Sequence, residues 1–259
     1  MKPALSVILF TVSSGAGLGL AIWIFAAQLA GRIDGSLRGF WIGTVLAGVL
    51  FTVGLLASTR HLANPRNAWR SFARVRTSWL SREAVLAVAF IPLAAVHVMF
   101  SAQGSPNALV TAVVAIVVAL AIIVCTAMIY ACLKTVPRWR TWHTVPAYLL
   151  YALASGGLLW RAVLASDALP MPSVGWVLVP VLGAALVKLG WDAKFSARVH
   201  ATLNEALAVP ETAAPGHAQG RVRLLDVGHA HGTFLTHEFG FVLARERASS
   251  LRALQYGLT

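Results

Sequence analysis

His61 and Glu83 bracket the segment HLANPRNAWRSFARVRTSWLSRE, which lies between two long apolar runs and carries five arginines in 23 residues. An imidazole can hydrogen-bond a carbonyl oxygen, and a carboxylate can pass protons to or from water. Placed at a membrane boundary, that pair suits the headgroup of a quinone; a capping glutamate and an interfacial histidine would give the same pattern. Arg66, Arg70, Arg74 and Arg76 are interleaved with Trp69, Phe72 and Trp79. Arginine and tryptophan anchor protein interfaces, so the segment reads as a docking surface for a partner protein. Snorkelling to lipid phosphates is the other reading of any single arginine.

The remaining candidates for chemistry carry less. A b-type haem held between two histidines needs them at matching depth. His61 ends one apolar run whereas His97 lies well inside the next, about 20 Å deeper by helical rise, so no haem is expected. Cys125 and Cys132 are seven apart, neither a CxxC pair nor a metal box, and read as small apolar core residues. His229, His231, His237 and Glu238 lack a second ligand pair at fixed spacing and read as solvated, so no metal site is assigned. SSGAGLGL, with Gly15 and Gly19 at GxxxG spacing, is too apolar to cradle a phosphate and points to close helix packing.

These residues are positioned by apolar elements. The chain has 259 residues, of which 58% are hydrophobic and 12% charged, half the charge of an ordinary soluble domain. A membrane-spanning helix needs about 20 apolar residues. Charge-free runs fall between Lys2 and Arg32, from Gly39 to Thr59, from Ala84 to Leu133, from Thr141 to Trp160 and from Ala168 to Val187. The third is too long for one pass and is broken by SAQGSPN, Ser101 to Asn107, whose Gly, Pro and Asn form turns. The fold class is therefore all-α, a polytopic transmembrane bundle of at least six spans. The first run is about twice the apolar length of a signal peptide and more spans follow it, so it reads as a retained helix.

Positive short loops stay cytoplasmic. Arg60 to Arg82 follow the second run, Lys134, Arg138 and Arg140 the fourth, and Lys188, Lys194 and Arg198 the sixth. The opposite loops hold Arg32 and Arg38 offset by Asp34, the uncharged SAQGSPN, and Arg161 facing Asp167. The N-terminus is thus expected in the cytoplasm. The net charge of +12 sits mostly beside the membrane, so nucleic acid is not an expected partner, while the lipid bilayer is. The run centres hold no Asp, Glu, Lys or Arg, which argues against a proton pump or an ion-coupled transporter. A small-molecule transporter remains as a reading from another class.

Two regions follow: residues 1–191 as the bundle, and 192–259 as a cytoplasmic tail. The tail has seven Lys or Arg against six Asp or Glu, a linker VPETAAPGHAQG, and a final stretch, HEFGFVLARERASSLRALQY, with the pattern of an interfacial amphipathic helix.

MKPALSVILFTVSSGAGLGL, RHLANPRNAWRSFARVRTSWLSREAVLA, CTAMIYACLKTVPRWRTW and HEFGFVLARERASSLR resemble the dimethyl sulfoxide reductase anchor subunit (DmsC) family. The resemblance runs over nearly the whole chain and is most specific in HL-x-x-P-x-x-A and S-x-E. It implies a membrane anchor that holds an iron–sulfur electron-transfer subunit and a molybdopterin catalytic subunit and exchanges electrons with the quinone pool, ubiquinone or menaquinone. Molybdenum cofactor and iron–sulfur clusters would lie in those partners alone, and haem would be absent. The resemblance carries the family's quinone-site His to His61 in RHLANP and its quinone-site Glu to Glu83 in LSRE, so quinone is expected between the second and third helices. It also implies eight spans, two more than counted, so the chain is either naturally shortened or continues beyond Thr259. The very basic, cytoplasm-facing arginine loop suits the branch similar to the anchor of cytoplasmic sulfite dehydrogenase (SoeC-like), in which sulfite is oxidised and quinone reduced. A dimethyl sulfoxide-type reductase oxidising menaquinol is the alternative. The expected location is the bacterial inner (cytoplasmic) membrane.

Overall fold

A computed structural model describes residues 5–59, 69, 72, 74–133, 139–166 and 174–196. Among these residues the regular structure is helical, in the order α1 (Leu5–Leu29), α2 (Arg38–Thr59), α3 (Trp79–Ala102), α4 (Asn107–Ala131), α5 (Thr144–Ser166) and α6 (Val174–Ser196). All six are long and apolar enough to cross a membrane. Helices are what such a chain must form there, because hydrocarbon offers nothing to an open backbone N–H or C=O. The protein is a multi-span membrane protein of all-α class. The chain divides into two units, Ala4–Leu189 and a second made of Met1–Pro3 with Gly190–Thr259. Of the second, residues 190–196 at the end of α6 are described; the expected tail helix and the tail histidines lie outside the described residues.

Two of the turns are made by glycine in the left-handed region. Gly31 has φ 65° and Gly104 φ 62°. Arg32 N–H reaches back to Ala27 O at 3.0 Å, and Ser105 N–H to Phe100 O at 2.9 Å. These six-to-one bonds close helices α1 and α3 with Schellman caps, which need a residue without a Cβ penalty at that position.

Helix α3 begins at Trp79, five residues before the charge-free run that announced it. Ser78 caps it, its hydroxyl accepting from Ser81 N–H at 3.4 Å. Two charged residues are then absorbed inside the helix: Arg82 turns back to the preceding loop, and Glu83 is buried. Helix α6 runs past the expected boundary at residue 191 to Ser196, taking Lys188 and Asp192 into its last turns.

Helix α1 packs against α2, α4 and α5, and α3 packs on α4. Glycine makes two of these seams. A Cβ on Gly17 would meet Ala47 O and Phe51 N of α2, both at 2.7 Å. A Cβ on Gly19 would strike the Ala152 carbonyl of α5, and one on Gly156 the backbone of Gly19 and Leu20. The GxxxG spacing of Gly15 and Gly19 is thus answered on α5 by Ala152 and Gly156, the small-xxx-small packing that lets helix backbones touch in lipid. Outward-facing Val45, Val49, Val88, Val110, Val113 and Val117 are exposed and apolar, as lipid contact requires.

Candidate functional site

Glu83 is the acidic residue that the fold buries most deliberately. It is 5% exposed and heads the inward stripe of α3, Glu83, Ala87, Phe90, His97 and Ser101. The matching stripe of α4 is Ala108, Ala112, Ala115, Ala119, Ile122 and Thr126. Spacings of three and four residues place each set on one helix face. The alanines bring α4 close, and at the end of the stripe Thr126 Oγ1 donates a hydrogen bond to Glu83 Oε1. The same hydroxyl lies 3.0 Å from Ile122 O.

Glu83 therefore faces α4. Cys125, Tyr130 and Tyr148 stand within the electrostatic field of its carboxyl. Tyr130 stacks on Tyr148 of α5 with ring centroids 5.6 Å apart and meets Trp139 edge-on at 5.3 Å. This end of the bundle thus gathers a buried carboxyl, a threonine hydroxyl and two phenols at the level where the arginine loop joins α3.

Two cavities of about 330 Å³ each lie in the bundle among the described residues. One lies between α1, α4 and α5 and is lined by hydroxyl residues, among them Thr11, Ser14, Thr126, Tyr148 and Ser155. The other lies between α1, α2 and α3; among its described lining residues Thr44 alone is polar, the rest being Gly, Ala, Val and Phe. Glu83 lines neither, but Thr126, to which it is bonded, forms part of the wall of the first.

The loop residues divide. His61, Arg66 and Arg70 lie outside the described residues. Trp69, Phe72, Arg74 and Arg76 are exposed, as a docking surface must be. Trp79 is half-buried beneath the Arg82 guanidinium, whose carbon stands 4.2 Å from the ring centroid. The same guanidinium donates to Val75 O and Arg76 O, both at 2.9 Å. Arg82 is therefore a brace that ties the end of the arginine loop to the first turn of α3. Sequence reasoning counted it only as a topology charge.

His97 lies five residues from the far end of α3 and is 0% exposed. Its Nδ1 is 3.1 Å from Thr111 Oγ1, and its ring packs edge-on to Phe25 at 4.2 Å. Beside it Gln28 Nε2 donates to Ser101 Oγ at 2.9 Å, and that hydroxyl donates to His97 O at 2.8 Å. This network joins α1, α3 and α4 at the end opposite Glu83. The two clasps of the α3–α4 hairpin, Glu83–Thr126 and His97–Thr111, are thus about 21 Å apart by helical rise. No group of three His, Cys, Asp or Glu among the described residues is placed to hold a metal ion.

The model of the DMSO reductase anchor subunit (DmsC) family matches residues 1–216. The chain is 33% identical over 264 aligned residues to a subunit of the sulfite dehydrogenase of Allochromatium vinosum, covering 92% of this chain and 77% of that one. It is 27% identical over 214 residues to the anaerobic dimethyl sulfoxide reductase chain YnfH of Escherichia coli K12, covering 80% of this chain and 74% of that one. No solved structure matches it. With more than four fifths of its length matched by the family model, and with a relative aligned over nearly all of it, the chain belongs to the DMSO reductase anchor subunit (DmsC) family.

Proposed function

We propose that this protein is the membrane anchor of a molybdenum iron–sulfur oxidoreductase and passes electrons between a cytoplasmic iron–sulfur subunit and quinone in the bilayer. The observation that carries the reading is the buried carboxyl of Glu83, placed at the loop end of the bundle and bonded to a hydroxyl that faces a cavity. Burying a carboxyl in a membrane bundle is costly and marks function. A quinone, when bound, takes up two electrons and two protons; this chain supplies the protons and the position. Glu83 holds and releases a proton, and His61 hydrogen-bonds a ring oxygen. Arg66, Arg70, Arg74 and Arg76, with Trp69 and Trp79, dock the iron–sulfur subunit and, through it, the molybdopterin subunit. Their charge also lowers the cost of electrons arriving nearby.

Sulfite oxidation with quinone reduction is the preferred direction, supported by the relative from a sulfite dehydrogenase, with which identity is higher. The reductase chain from E. coli supports the second reading, in which menaquinol is oxidised to reduce dimethyl sulfoxide. The membrane is the bacterial inner membrane, with the N-terminus and the arginine loop on the cytoplasmic side. Glu83→Gln keeps size and hydrogen bonding but removes the titratable proton. It is expected to slow quinone turnover about 100-fold, a typical contribution of one acid–base group, while the partner subunits still co-purify. Normal turnover in that variant removes Glu83 from the site.

A further inference from the structure

We infer that the cavity between α1, α4 and α5 receives the quinone headgroup and that Thr126 connects it to Glu83. This rests on the quinone-linked role proposed above and assigns it a place. The alternative place, between α2 and α3, holds an apolar cavity with Thr44 as its one polar lining residue among those described, and Glu83 does not reach it. The α1/α4/α5 cavity has the same volume and differs in its chemistry.

At about 330 Å³ it stands at the low end of small-molecule sites, about 300–1,000 Å³, enough for a one- or two-ring head while an isoprenoid tail stays in lipid. Its mouth faces the bilayer. Val12 and Tyr151 line it and are 62% and 49% exposed on helices that cross the bilayer, so entry is sideways from the membrane, where quinone resides. Its chemistry sets it apart from the other cavity. Thr11 donates to Val7 O at 3.0 Å, Ser14 to Phe10 O at 2.5 Å and Ser155 to Tyr151 O at 2.8 Å. With their protons committed, these hydroxyls offer lone pairs to a ligand, which suits the O–H groups of the reduced ring. Thr126 is the exception: beside its own backbone bond to Ile122 O at 3.0 Å it reaches the carboxyl of Glu83, itself a proton carrier.

That exception sets the direction of traffic. When Glu83 carries a proton it can donate to Thr126 Oγ1, and the hydroxyl's own proton is freed for a ring oxygen. The threonine ends unchanged and Glu83 becomes carboxylate, to be reprotonated from water at the loop end. Electrons come from the partner's iron–sulfur chain, and the second ring oxygen takes its proton from water. In the oxidising direction each transfer reverses. Thr126 relays the proton to the ring oxygen, and the acid–base group that supplies it remains Glu83.

The test uses the intact complex purified through this chain and an azidoquinone photolabel, with excess decylubiquinone as competitor. Competed labelling on α1 residues 11–18 and α5 residues 148–155, abolished by Ser155→Phe, is the expected result. Competed labelling on α2 and α3 instead overturns this assignment and leaves the quinone-linked role standing, whereas labelling that decylubiquinone does not compete overturns that role as well. Thr126→Val should lower kcat for quinone about 100-fold with less than a threefold change in KM, and Thr126→Ser, which keeps the hydroxyl, should restore most of it. Equal loss in both variants, or loss in neither, refutes the connecting role.

Discussion

Adding one methyl group to Gly19 should damage this protein far more than adding one to Gly48. The Gly19→Ala methyl would meet the Ala152 carbonyl of α5, a backbone atom that cannot rotate away. The α1 and α5 backbones must then part. Overpacking of this kind costs about 1–3 kcal/mol. Parting also breaks the hydrogen bond from Trp23 Nε1 to Leu153 O, 2.8 Å long, and an interhelical bond in a membrane contributes about 0.6–1.7 kcal/mol. The sum is about 2–5 kcal/mol, or on the order of 5–15 °C in thermal midpoint for a chain of this size. A Cβ on Gly48 meets nothing within 4 Å, so Gly48→Ala should be neutral or slightly stabilising, by less than about 1 kcal/mol, through helix propensity alone. Thermal unfolding of the two variants in the same detergent, followed by circular dichroism, is the assay. A Gly19→Ala midpoint equal to wild type, or a Gly48→Ala loss as large as that of Gly19→Ala, would refute the backbone contact between α1 and α5.

The brace formed by Arg82 gives a second expectation. Arg82→Ala should cost about 1–2 kcal/mol locally and speed hydrogen exchange at Thr77 and Ser78. Arg82→Lys should not rescue it, because an ammonium cannot bridge two carbonyls while stacking on Trp79; protection restored by lysine would reduce the brace to a plain charge. At the other end of the bundle, the Nε2 atom of His97 is buried with no hydrogen-bond partner among the described residues. His97→Leu, which also removes that unpaired nitrogen, should therefore unfold within about 1 kcal/mol of wild type, whereas His97→Ala should lose about 2–4 kcal/mol to the cavity left beside Phe25. Equal losses would mean that the Thr111 bond, and not packing, holds that end. Replacing Arg70, Arg74 and Arg76 together by alanine should release the partner subunits from the tagged chain in a pull-down, and full retention would leave those arginines as topology signals alone.

The spans were legible because the bilayer imposes a length and forbids charge, and both are written in single residues. Boundaries were less so where a charge has a private solution. Arg82 and Glu83 look like the end of a loop in sequence, yet one reaches back to loop carbonyls and the other is bonded across to α4. Glu83 could be singled out from its position and the family resemblance, but its partner could not. Thr126 is 43 residues away, and its sole local signal is that it closes a row of alanines spaced by three and four. Tyr148 likewise gains meaning only when α5 folds against α1. The end of α3 was legible in SAQGSPN, where the Gly104 cap closes the helix five residues after His97, while its start, at Trp79 rather than Ala84, was not. The GxxxG seam was readable as close packing, while its partner helix was not.

The central claim is that this chain anchors a molybdenum iron–sulfur complex. It is tested most directly by tagging the chain in its native host, extracting it in mild detergent, and measuring molybdenum and non-haem iron in what co-purifies. Both metals in fixed ratio to the chain, with sulfite-driven reduction of added quinone, is the predicted result. A folded chain that purifies free of both metals would contradict it.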